Sequence, residues 1–130
     1  MIKQVRWLRV VIAAFLVEVG LIVASLPFLL LIAEEIVFRV AVPVACLVVP
    51  FVVAWLATRR LPSARALHGL LIGIVATVMY FALVIGTSSI AEAVTSYGSM
   101  GLFVGVNALR VISAAAGGYA ADRRPAAKAA

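Results

Sequence analysis

The chain has 130 residues, of which 66% are hydrophobic and 12% charged, with a formal net charge of +6. Soluble domains carry about 25% charged and roughly 45–50% apolar residues, and a chain this short has too little interior to hide such an excess from water. An ordinary water-soluble domain is therefore excluded; the basic residues edge the apolar runs, which argues for membrane orientation and against nucleic-acid binding.

Each apolar run can be measured against the ~20 helical residues that cross a ~30 Å hydrocarbon core. The first predicted span covers residues 7–32. Lys3, Arg6 and Arg9 precede it as in a secretory leader. The run exceeds the usual leader core of about 7–15 residues, holds Glu18 and lacks a small-x-small cleavage site, so a retained span is expected. Helical spacing puts Val11, Ala14, Phe15, Leu21, Ile22 and Ser25 on the Glu18 face.

The second span, 36–56, lies between Glu34–Glu35 and Arg59–Arg60. Pro43 and Pro50, seven apart on one face, are expected to kink it. Cys46, the single cysteine, excludes an intramolecular disulfide and reads as a small core residue. In the loop "ATRRLPSARALHG", Pro62 ends one helix and Ser63 is placed to cap the next. The third span, 67–85, begins at His68, which reads as an interfacial residue or, alternatively, as a proton site at the mouth of the bundle.

The stretch "GTSSIAEAVTSYGSMG" then predicts a short interfacial helix between Gly86 and Gly98. The fourth span covers 99–121. Residues 1–122 thus form one membrane domain, and 123–130 a basic tail expected to be disordered. Gly69 and Gly73 on the third span, and Gly101 and Gly105 on the fourth, recur at i, i+4, as do Ser113 and Gly117. Such spacing lets helix backbones approach in lipid, within the bundle or between copies. Trp7, Trp55, Tyr97 and Tyr119 fall near span ends, as interfacial anchors do.

Orientation follows from the lysines and arginines. Nine of the eleven (Lys3, Arg6, Arg9, Arg59, Arg60, Arg65, Arg123, Arg124 and Lys128) fall on one side. The other side holds Arg39 with Glu34, Glu35 and Glu92. The positive-inside rule then puts both termini and the middle loop in the cytoplasm. The expected architecture is an all-α, up-down-up-down four-helix bundle in a bacterial inner membrane.

Two ionisable residues of opposite sign, Glu18 and Arg110, fall within spans, and such residues are functional-site hypotheses by default. Glu18 lies nine residues beyond Arg9, or ~14 Å along the helix, and Arg110 lies twelve before Asp122, or ~18 Å. The depths agree within about one turn, so the two can pair. Asn107, Arg110, Ala114 and Gly117 share one face, and Asn107 is placed to bond either partner. Glu18, Asn107 and Arg110 are the expected intramembrane polar core.

One reading of this core is a structural ion pair that fixes helix register; the others are a proton or cation path through Glu18 and a site for a protein partner. No metal-ligand cluster, phosphate-binding loop or nucleophile–base constellation occurs, so neither an enzyme nor a cofactor is expected. The expected surroundings are lipid, with a homo-oligomer or larger membrane complex as partner and anionic headgroups at the basic face.

"AAFLVEVGLIVA" around Glu18 resembles the first span of small multidrug resistance transporters. That resemblance implies four helices and a membrane-embedded glutamate that binds protons and cations, at the position of Glu18. "LHGLLIG" at 67–73 and "AAAGGYAADRR" at 114–124 resemble small bacterial four-span inner-membrane proteins of uncharacterised function. Those share a glycine-containing third helix and a basic cytoplasmic tail, and imply no activity. The scarcity of further polar groups in the spans favours the structural reading.

Overall fold

The structure, a computed structural model, describes residues 5–123. Lys3 and residues 124–130 of the expected tail, with Arg124 and Lys128, lie outside the described residues. Among the described residues five helices follow one another: α1 (Trp7–Leu31), α2 (Glu34–Thr58), α3 (Arg65–Thr87), α4 (Ile90–Tyr97) and α5 (Met100–Asp122). All but α4 are long and apolar enough to cross a membrane.

The molecule is built inside out relative to a soluble bundle. Large side chains such as Leu8, Phe15, Ile22 and Leu31 face outward, while small ones, including Ala13, Ala14, Ala54, Ala76 and Ala114, are buried. Lipid tails are as apolar as leucine, so nothing drives leucine inward; what associates helices there is close packing and polar contact.

On α1 the buried stripe is Val10, Ala13, Ala14, Val17, Glu18 and Leu21. This is rotated from the face expected around Glu18: Val11, Phe15 and Ile22 point out. Glu18 therefore sits at the edge of the buried stripe rather than at its centre. The helix runs on through Pro27 and ends in extended backbone at Ile32.

α2 starts earlier than the expected span, because Glu34 and Glu35 occupy its first turn, where carboxylates suit the positive end of the helix dipole. Arg39 pairs with Glu35 at 2.8 Å. Pro43 has no N–H to give and its ring crowds the carbonyl four residues back. The chain responds with a π-helical segment, Val37–Ala41, in which the Val42 N–H reaches back five residues to the Val37 carbonyl. Beyond it the helix runs through Pro50 to Thr58, burying Cys46, Pro50, Ala54 and Thr58 at strict i, i+4 spacing.

The loop to α3 is fastened by residues from afar. Ser63 does not cap the helix; the N-cap is Ala64, in the left-handed region at φ 53°. Capping falls to Asp122, whose carboxylate accepts the Ala66 N–H at 3.1 Å. Arg65 donates to the Leu61 and Ala121 carbonyls, both at 2.7 Å. The opposite end has local caps: Ser89 accepts the Glu92 N–H, Ser99 accepts the Leu102 N–H, and Gly98 closes α4 at φ 86°.

α5 is the central element. Gly69 on α3 faces the Ala114 carbonyl and Gly118, and Gly73 faces Val111 and Ala114, so the two helices meet backbone to backbone in opposite order. On its other side Gly117 lies against the Phe51 carbonyl and Ala54 of α2. Gly101 and Gly105 do not take part: a Cβ at either would meet open space. Their spacing matches that of Gly69 and Gly73, but among the described residues nothing packs against them.

Candidate functional site

Arg110 Nη1 donates to Glu18 Oε1 at 2.8 Å, with side chains only 3% and 7% exposed. The guanidinium carbon stands 4.5 Å from the centroid of the Tyr80 ring, a cation–π contact from α3. Cys46 of α2 lies close enough to interact with both charges, and the Tyr80 phenol lies within electrostatic reach of Tyr97 of α4. Each of the five helices among the described residues thus contributes at least one residue to a single polar hub.

An aromatic wall closes the side of the hub toward α4. Tyr97 stacks edge-on with Phe38 at 5.2 Å and Phe103 at 5.7 Å, and Phe81 meets Phe103 at 5.9 Å. Tyr97, expected as an interfacial anchor, is instead buried, and burial pushes its phenol above its ordinary pKa. Trp7 and Tyr119 are about half exposed, as anchors would be.

Asn107 does not bond the ion pair. Its amide donates to the Phe103 carbonyl one turn back at 2.8 Å, leaving Oδ1 buried and unpartnered, as is Arg110 Nε. Ser113 on the same helix donates to the Leu47 carbonyl. That carbonyl lies in the turn before Pro50, where the proline ring crowds the groups behind it. Pro50 is buried against the bundle, and Pro43 is half-buried beside the π segment.

His68 is 1% exposed, enclosed by the bundle. Its Nε2 accepts the backbone N–H of Arg6 at 3.1 Å, and its Nδ1 lies 2.7 Å from the Ala64 carbonyl. An N–H can only donate, so the ring carries its proton on Nδ1 and tethers the start of α1 to the start of α3. Sequence spacing could not reveal this role, because the partner is a backbone group 62 residues away.

Tyr80 and Cys46 were also missed as hub members. Only the rotation of α2 and α3 brings them to Arg110, and neither carries a charge that would mark it within an apolar run. Among the described residues no group of His, Cys, Asp and Glu could hold a metal ion. The hub offers one fixed charge pair, two phenols, a thiol and an amide.

Fold and hub together define a multi-pass, helical-bundle membrane protein with a buried glutamate–arginine pair. No protein-family model, curated protein or solved structure matches the chain.

Proposed function

We propose that this chain is a structural or interaction protein of a bacterial inner membrane, and that the Glu18–Arg110 pair locks its helices in register. The observation that carries this reading is the 2.8 Å pair, buried between α1 and α5 and faced by the Tyr80 ring of α3. Hydrocarbon penalises a lone charge of either sign, so each partner holds the other in place. Rotation and depth of α1 against α5 are thereby fixed together. The reading includes no catalytic step and no cofactor. Its partners are the bilayer and, through the outward faces, further copies or a larger complex.

The up-down-up-down path, with both termini in the cytoplasm, is part of this proposal. Three contacts support it by drawing the basic segments to one end: Arg6 with His68, Arg9 with the Ala57 carbonyl at 3.2 Å, and Arg65 with Ala121. Arg39 lies beside Gly98 at the other end, with Glu34 and Glu35. The positive-inside rule assigns the first end to the cytoplasm. A C-terminal reporter active only in the periplasm checks this; activity there would overturn the orientation.

A double-mutant cycle tests the pair itself. Glu18→Gln and Arg110→Gln each lower the unfolding midpoint in detergent, and the double variant partly recovers it. A second reading, a small proton- or cation-coupled transporter with Glu18 as the titrating site, draws on the unpartnered Arg110 Nε and Asn107 Oδ1. A water joining them to the carboxylate would complete a proton path. Glu18→Gln protein that stays fully stable but loses proton-coupled flux in liposomes would replace the structural reading with this one.

A further inference from the structure

A groove of about 590 Å³ runs between the first turns of α1 and the last turns of α2, within the ~300–1,000 Å³ typical of ligand clefts. Ile12, Leu16, Val53 and Leu56 form its walls, and the small Ala13 and Ala57 its floor. At its mouth stand Arg9, Arg59 and Arg60, and none of its lining residues is acidic. From Arg9 to Leu16 is seven residues, or ~10 Å along the axis. The groove therefore joins a cationic mouth to an apolar slot about as deep as most of one leaflet of a ~30 Å core.

The mouth is arranged in advance. Arg9 donates through Nη1 to the Ala57 carbonyl at 3.2 Å, which holds its guanidinium between the two helices. The Arg59 guanidinium lies 5.2 Å from the centroid of the Trp55 ring. Each still presents donors in the fork geometry that matches phosphate oxygens. Water or an inorganic anion would satisfy the arginines but not the slot; an acyl chain would satisfy the slot but not the arginines. An amphiphile with a negative head satisfies both.

We propose that this groove binds an anionic phospholipid of the cytoplasmic leaflet, its phosphate between Arg9, Arg59 and Arg60 and one acyl chain along Ile12, Leu16, Val53 and Leu56. The assignment to that leaflet rests on the orientation proposed above; the site itself rests on the groove and its charges. Bound lipid would fill the space between α1 and α2 and act as a structural part of the bundle. Each arginine near the surface adds attraction to an anionic headgroup.

Trp55 adjoins the mouth, and only Trp7 would confuse its fluorescence. The full chain carrying Trp7→Phe is reconstituted in symmetric vesicles, where orientation does not affect the result, and Trp55 quenching by acyl-brominated lipid is measured. Brominated phosphatidylglycerol should reach half-maximal quenching at a mole fraction on the order of tenfold lower than brominated phosphatidylcholine. Adding Arg59→Gln and Arg60→Gln, both exposed positions, should remove the preference, with circular dichroism confirming the fold. Ala57→Leu, which fills the floor and keeps the arginines, should remove it as well.

Equal quenching by the two lipids, or a preference that survives either variant, would overturn the proposal. So would displacement of the lipid by inorganic phosphate, which would make the mouth an anion site alone. Dimerisation that buries Trp55 whatever lipid is present would hand the groove to a second copy and also overturn it. None of these outcomes bears on the double-mutant cycle at Glu18 and Arg110, so the two readings fail separately.

Discussion

The two flanks of α5 and the α1–α2 face are both helix–helix contacts, yet they are made differently. Along α5, glycine lets backbone meet backbone: Gly117 against Phe51, and Gly69 and Gly73 against the 111–118 stretch. Between α1 and α2, Gly20 meets the Val49 side chain rather than backbone, and the Arg9 side chain bridges the helices nearer the basic end. The difference teaches that in this bundle small residues decide where helices close, and large aliphatic ones where space is left beside them.

The largest break in the comparison comes from the pair that spans it. Arg110→Leu alone should cost about 3–5 kcal/mol, because Glu18 is left buried without its partner, while Glu18→Leu with Arg110→Leu should recover most of that or exceed the parent. Denaturant midpoints in detergent read both. Next comes the seam. Gly117→Val or Gly69→Val forces a side chain against a neighbouring backbone and should cost about 1–3 kcal/mol. The same measurement on Leu16→Ala, in the α1–α2 groove, should show much less, because that residue already borders open space.

His68→Ala should cost about 1 kcal/mol through two lost hydrogen bonds. Hydrogen exchange confined to the first turns of α1 and α3 would report it. Tyr97 gives a pH signature. Burial raises its pKa in the fold, so the folded chain holds the phenolic proton more tightly than the unfolded one. Its contribution is therefore present in full below about pH 10 and lost as the pH climbs from there toward the folded value. Alkaline unfolding that is unchanged in Tyr97→Phe would contradict this. The smallest effect is expected at Gly101→Ala and Gly105→Ala, which meet open space and should be neutral or stabilising by up to about 1 kcal/mol. A seam-sized loss there would erase the distinction between the two kinds of glycine.

The spans were legible because apolar run length is a direct physical requirement of the bilayer, and the α4 helix because Gly98 closes it, although Gly86, expected to open it, lies inside α3 and Ser89 caps it instead. The ion pair was legible because depth along a helix can be counted from its charged ends. Facing was not. Which side of α1 surrounds Glu18, whether Gly101 or Gly69 meets a neighbour, and that Tyr80 and Cys46 join Arg110 all depend on helix rotation. Periodicity defines a face but not what lies opposite. The capping of α3 by Asp122, in place of Ser63, was hidden for a related reason: its donor and acceptor are 56 residues apart.

The π segment at Val37–Ala41 carries one further consequence. Val37 and Cys46 are both fully buried although nine residues, or about two and a half α turns, separate them, which in an unbroken α-helix would set them on opposite sides. The extra residue taken up by the wider turn resets the phase, as an insertion would. Relaxing that turn to uniform α pitch with every residue kept would swing Glu34, Glu35 and Arg39 by roughly 100° about the axis, whereas deleting one residue would keep them on their present faces. With every residue kept, Arg39 would leave Gly98, and that change of phase in α2 would uncouple α4 from this end of the bundle.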